Sequence, residues 1–78
     1  MKLYEGKSGN FYTVEAVNQE KLGDKRTGRL KALGVVEGTG LLLLNKKKSG
    51  TAAIKIRGTR LALGREYSES IEILPLEK

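Results

Sequence analysis

The sequence predicts a mainly β protein, a small barrel of about five short strands with one short helix. Three observations support this fold class: apolar and polar residues alternate over short segments, glycine stands at nearly every junction between segments, and 78 residues suffice for one domain only. Short antiparallel strands joined by tight turns close most economically into a barrel, because closure removes exposed strand edges. We therefore expect residues 1–78 to form a single domain.

The elements outside the helix can be assigned from their residue patterns. The run Leu41–Leu44 is apolar on both faces of a strand, so its strand should lie in the centre of the fold. The polar residues 18–23 predict a loop, Lys46 to Gly50 predict a hairpin loop, and residues 65–70 are long enough for one helical turn. The predicted strands are residues 10–17, 39–45, 51–57 and 60–63, followed by a short strand around Ile71 and Ile73 that Pro75 ends.

The one helix is predicted over residues 25–33. Asp24 offers an N-cap oxygen at its start, and Gly34 suits the left-handed conformation that ends many helices. A helix of this length is marginal in isolation. We therefore expect Leu30 and Leu33, which are three residues apart, to dock it on the sheet.

Composition excludes several classes of function. The chain contains no cysteine and no histidine, so it has no disulfide, zinc finger, cysteine nucleophile or histidine general base. The carboxylates of Glu66, Glu69 and Glu72 are expected to form a solvated face, with weak binding of iron(II) or another divalent cation as the alternative. The sequence therefore predicts neither an enzyme nor a cofactor.

No segment has the pattern of a signal peptide or a membrane span. The longest apolar run is Leu41–Leu44, against the roughly 20 residues that cross a bilayer. We expect a soluble cytoplasmic protein.

Positive charge is concentrated in the middle of the chain. Residues 25–65 hold 11 of the 15 lysines and arginines but only one of the nine acids, Glu37. Such a segment attracts an acidic partner, which can be a nucleic acid, anionic lipid or an acidic protein surface. The alternative is that these charges only keep the domain soluble. Nucleic acid is the less favoured partner, because the four scattered aromatic residues make a poor stacking platform.

From the helix onward, the order of residues resembles that of the FeoA family. The matching pieces are Arg29-Leu30, Leu33-Gly34-Val35, Glu37-Gly38-Thr39, a lysine-rich hairpin, Ile54-Lys55-Ile56, Gly58-Thr59-Arg60-Leu61-Ala62-Leu63, Arg65-Glu66 and Ile71. The start of the chain is similar more loosely, through Leu3, Gly9 and Val14. The resemblance thus covers nearly the whole chain.

This resemblance implies an SH3-like barrel and a function in ferrous iron transport. FeoA proteins are small cytosolic components of the bacterial ferrous iron transport system, not known as enzymes, and their expected partner is the FeoB-type membrane GTPase. A position at the inner face of the membrane, with contact to anionic lipid, is consistent with the same interpretation. The alternative function is that of a small basic β-barrel binding RNA or DNA.

The candidate partner-binding residues are all basic. If residues 46–57 form a hairpin, its lysine-rich tip lies at one end and the Gly58 turn at the other, so we expect two basic patches. We expect Arg60 and its neighbours to contact an acidic surface, unless its stem only packs across the barrel mouth. The predicted residues are Arg57, Arg60 and Arg65 for one patch, and Lys46, Lys47 and Lys48 for the other.

Overall fold

The computed structural model describes residues 1–76, which form one antiparallel sheet of five strands and three short α-helices. In chain order the elements are β1 (Phe11–Val17), α1 (Gln19–Leu22), α2 (Asp24–Ala32), β2 (Gly40–Lys46), β3 (Ala52–Ile56), β4 (Thr59–Leu63), α3 (Arg65–Ser68) and β5 (Ile71–Pro75), with a single 3-10 turn at Leu3–Glu5. The strand order is β4-β3-β2-β1-β5, so β2 lies in the centre as its leucine run predicted. The mainly β class is confirmed.

The core is built from one face of each strand. Its strand residues are Tyr12, Val14, Leu41, Leu43, Ala52, Ile54, Ile56, Leu63, Ile71 and Ile73, all buried. Two bulges, with Glu15 as the extra residue in β1 and Leu44 in β2, interrupt the pairing. Because a bulge bends its strand and increases the local twist, the sheet curls around this core. The alternate side chains, including Phe11 and Leu42, are left on its outer face.

The prediction of a loop at residues 18–23 is wrong, because α1 occupies most of that segment. Asn18 caps this helix, its Oδ1 accepting a hydrogen bond from the Lys21 amide at 3.1 Å. Leu22 is buried in the core. Four residues are too few for a helical pattern to be visible in sequence, but the cap and the buried leucine stabilise the turn.

The main helix, α2, begins one residue earlier than predicted. Gly23 takes the N-cap position, and the Asp24 carboxylate accepts a hydrogen bond from Gln19 Nε2 at 3.0 Å instead of capping its own helix. The predicted ending is confirmed, since Gly34 has φ +89°. The amide of Val35 donates to the Leu30 carbonyl at 2.9 Å, which completes a Schellman motif.

Leu33 does not dock α2 on the sheet, contrary to the prediction. The buried residues of this helix are Thr27 and Leu30, whereas Leu33 is 39% exposed. Each step of three residues along a helix falls about 60° short of a full turn, so Leu33 lies about 60° from Leu30 and about 120° from Thr27, outside the sector between the two buried residues. Val35, which follows the helix and is buried, contributes the second apolar contact.

The first residues of the chain cover the edge of β5. The Ile73 amide donates to the Met1 carbonyl at 2.7 Å, and Lys2 forms an isolated bridge with Glu72. Among residues 1–76, no helix has the length and apolar character that crossing a membrane requires.

Candidate interaction surface

The turn between β3 and β4 holds Arg57 in a left-handed conformation. Ile56 pairs with Thr59, so the loop consists of Arg57 and Gly58 alone, with φ values of +52° and +79°. Two successive positive φ values are typical of a type I′ hairpin. The Arg57 side chain then crosses to α2, where a β-carbon on Gly34 would lie 2.8 Å from Arg57 Cδ. The arginine therefore covers the C-terminal end of that helix, where the helix dipole favours a cation.

Lys55 and Arg60 lie directly opposite each other on β3 and β4, and both are exposed. Like charges at opposed positions of a sheet repel each other and lower its stability. Within residues 1–76, no carboxylate oxygen lies within 4.0 Å of the charged nitrogens of Lys55, Arg57 or Arg60. We call these three residues the turn cluster. Their positive potential is directed to solvent and is available to an external anion.

Arg65 does not belong to the turn cluster, contrary to the predicted grouping. A β-carbon on Gly50 would lie 2.7 Å from Arg65 Cγ, so the arginine packs on the loop between β2 and β3. Its Nε also lies 3.6 Å from Glu69 Oε2. Strand β4 runs antiparallel to β3 and pairs Leu63 with Ala52, which brings the chain back to this end of the hairpin just before Arg65. The two basic patches are thus present, but Arg65 joins Lys46, Lys47 and Lys48 in what we call the lysine-loop cluster.

The loop that carries the lysines is held on two sides. The Tyr4 hydroxyl donates to the Lys47 carbonyl at 2.8 Å, and the Lys46 ammonium lies 5.3 Å from the centre of the Tyr4 ring. From the other side, the buried Ser68 hydroxyl donates to the Gly50 carbonyl at 2.6 Å. These contacts fix the position of the loop backbone.

An apolar surface that was not predicted from the sequence adjoins the turn cluster. Phe11 pairs in register with Leu42, and Leu42 pairs with Lys55. The Leu76 amide donates to the Phe11 carbonyl at 3.1 Å, and the side chains of Phe11 and Leu76 are 51% and 49% exposed. A hollow is lined by Phe11, Leu42 and Leu76 together with Lys55 and Arg57. We call it the outer hollow. Once Tyr12 and Leu41 are known to be buried, strand alternation places Phe11 and Leu42 on the outer face.

The three carboxylates considered for cation binding each lie beside a positive group. Glu66 Oε2 is 2.9 Å from Arg26, Glu69 Oε1 is 3.8 Å from Lys21, and Glu72 Oε2 is 4.0 Å from the N-terminal amine. Between residues 1 and 76, no three carboxylates converge in a way that could hold a metal ion. The contacts of Glu66 and Glu69 are surface ion pairs.

The family model of the FeoA domain matches residues 1–75, which is nearly the whole chain. The chain belongs to the FeoA family. The resemblance predicted from the sequence is therefore confirmed. No curated protein matches the sequence.

Solved structures of FeoA proteins share the fold of this FeoA-family chain. The solution structure of FeoA from Chlorobium tepidum superimposes with a TM-score of 0.81 at 29% identity, covering 99% of this chain and 71% of that one. FeoA from Stenotrophomonas maltophilia, crystallised with zinc, has a TM-score of 0.78 at 25% identity, covering 94% and 88%. That protein is described as a prokaryotic SH3 domain protein and a candidate activating factor of ferrous iron transport. The predicted SH3-like fold is confirmed.

The same fold also forms part of longer proteins. A manganese-dependent transcriptional repressor matches with a TM-score of 0.82 at 19% identity, covering 97% of this chain but 41% of that one. At this identity the likeness concerns the fold alone. The SH3-like unit is thus used both as a separate FeoA protein and as one part of a larger chain.

Proposed function

We propose that this FeoA-family chain is a non-enzymatic accessory protein of ferrous iron transport that binds the cytoplasmic part of a FeoB-type membrane GTPase. Membership of the FeoA family supports the iron transport part of the proposal, as does the description of the Stenotrophomonas maltophilia protein. In this account the chain acts at the cytoplasmic face of the membrane and contributes a binding surface.

The turn cluster is the observation that supports binding most directly. Lys55 and Arg60 face each other across two strands, and no carboxylate in the described part of the chain lies within 4.0 Å of their charged groups. Such an arrangement costs folding free energy. An acidic surface on a partner reduces the repulsion between the two cations. Complementary electrostatic potentials also raise the association rate and disfavour partners that are not acidic.

The proposal is tested by titrating the full chain with the purified cytoplasmic fragment of the FeoB-type transporter of the same organism. We expect saturable one-to-one binding by calorimetry. A mixed-sequence oligonucleotide serves as the comparison, because binding to several phosphates loses orders of magnitude in affinity between about 50 and 200 mM salt. Tight oligonucleotide binding with that salt dependence, and no binding of the transporter fragment, would contradict the proposal and favour the nucleic-acid alternative.

A further inference from the structure

We propose that the outer hollow binds a short amphipathic α-helix of the partner, with apolar side chains against Phe11 and Leu42 and a carboxylate against Lys55. This inference rests on the proposed function, because it describes which kind of segment the transporter would present. The reasons are the spacing, the chemistry and the charge of the side chains that line the hollow.

The chemistry of the hollow changes from apolar to basic along one line across the sheet. Phe11 on β1, Leu42 on β2 and Lys55 on β3 are successive register partners, so their side chains stand in a row on the outer face. Leu76 lines the apolar part and Arg57 the basic part. A ligand that fills this row needs apolar groups at one end and negative charge at the other.

The spacing of the row fits a helix that crosses the strands. Neighbouring strands lie about 4.8 Å apart. Side chains on one face of an α-helix, at positions i and i+4, are about 5–6 Å apart, whereas same-face side chains of an extended strand repeat at about 6.7 Å. A helix with apolar residues at i and i+4 and a glutamate at i+7 therefore meets Phe11, Leu42 and Lys55 in turn.

Charge argues against a second copy of this chain as the occupant. The protein has a net charge of +6. A two-fold axis along the row would place Lys55 against Lys55 of the second copy, and an axis across the row would place Lys55 against Phe11 of the second copy. The first arrangement opposes like charges. The second takes both Lys55 ammonium groups out of water with only a cation–π contact to Phe11 and no carboxylate to pair with them. An acidic helix avoids both.

The test uses the full-length protein labelled with 15N and two synthetic 18-residue helical peptides. Both carry leucines at i and i+4; one carries glutamate at i+7 and the other lysine. We expect the glutamate peptide to bind at least fivefold more tightly and to shift the amide signals of Phe11, Leu42 and Lys55. The substitution Lys55→Glu should reverse the preference, and a proline between the two leucines should abolish binding because it breaks the helix.

The matched control is Lys48→Glu, which makes the same charge change in the lysine-loop cluster and should leave the preference for the glutamate peptide intact. Equal binding of both peptides, an unchanged preference in Lys55→Glu, or signal shifts confined to other surfaces would overturn the inference.

The transporter fragment separates this result from the proposed function. If the fragment binds wild type and Lys55→Glu equally, the helix inference fails while the proposed function stands. If the fragment binds neither, the proposed function fails, and the peptides still decide what the hollow accepts.

Discussion

The side chain of Arg57 packs over Gly34, so that a β-carbon on Gly34 would lie 2.8 Å from Arg57 Cδ. Both residues have a left-handed backbone, with φ +52° at Arg57 and +89° at Gly34. This contact joins the hairpin turn to the end of α2 and thereby sets where the Arg57 guanidinium stands. The position of the turn cluster thus depends on a glycine in a different element.

Replacing Gly34 with alanine should destabilise the protein. The substitution costs about 1–2 kcal/mol from the left-handed backbone alone, and the new methyl group also displaces the Arg57 stem. The unfolding free energy from urea titration measures the loss. The matched control is Gly28→Ala in the middle of α2, where an added β-carbon meets nothing within 4 Å.

Gly28→Ala should instead stabilise the protein by about 0.5–1 kcal/mol, because alanine favours a helix interior. Equal effects of the two substitutions would show that the contact between Arg57 and Gly34 does not constrain the fold.

Removing the Ser68 hydroxyl should weaken the anchoring of the lysine loop. Ser68 is fully buried and donates to the Gly50 carbonyl at 2.6 Å, so Ser68→Ala leaves a buried carbonyl without this donor. An unsatisfied buried group costs about 1–3 kcal/mol. Faster amide exchange of residues 47–51, together with a lower urea midpoint, is the expected result.

Ser49→Ala is the control, because it removes an exposed hydroxyl of the same loop and should change stability by less than about 0.5 kcal/mol. A loss as large as that of Ser68→Ala would contradict the anchoring role.

The two leucines predicted to dock α2 should differ strongly in their contribution to stability. Leu30 is 1% exposed and Leu33 is 39% exposed. Leu30→Ala should cost about 2–5 kcal/mol, which is a large part of the unfolding free energy of a domain of this size. Leu33→Ala should stay within about 0.5 kcal/mol of wild type. Circular dichroism during thermal unfolding measures both, and similar midpoints for the two variants would mean that the docking face of α2 is assigned incorrectly.

The fold was largely predictable because its signals are local. Alternating residues mark the strands, and Gly34 marks the end of α2, where its positive φ is observed. The short helix α1 was missed because its four residues span barely one helical turn, which is too short for a periodic pattern to show. Leu33 was misplaced because spacing alone does not show which side of a helix meets the sheet; that is decided by the tertiary packing of Thr27 and Leu30.

The candidate surface was only partly predictable, because it is formed by residues of different strands that come together only in the folded chain. The hairpin register pairs Lys55 with Arg60, and the same register returns the end of β4 to the start of β3, so that Arg65 packs on the lysine loop and not beside Arg60. Leu42 lies within a run of four leucines, so the sequence does not show which of them point away from the core. Leu42 is assigned to the outer face only because Leu41 and Leu43 are buried. Phe11 has the pattern of an ordinary strand residue, and its exposure becomes evident only in the folded chain.

The central claim is that this FeoA-family chain acts by presenting the turn cluster to an acidic partner. Arg60→Glu tests it, since Arg60 is exposed and the new carboxylate would stand opposite Lys55, where it should not lower stability. The variant Lys48→Glu changes the net charge by the same amount at the lysine loop.

The decisive measurement is the dissociation constant of each variant for the cytoplasmic fragment of the FeoB-type transporter, determined by calorimetry at one salt concentration. We predict at least tenfold weaker binding for Arg60→Glu, with a thermal midpoint within a few degrees of wild type, and less than threefold weaker binding for Lys48→Glu. Wild-type affinity in Arg60→Glu, or equal losses in both variants, would contradict the claim.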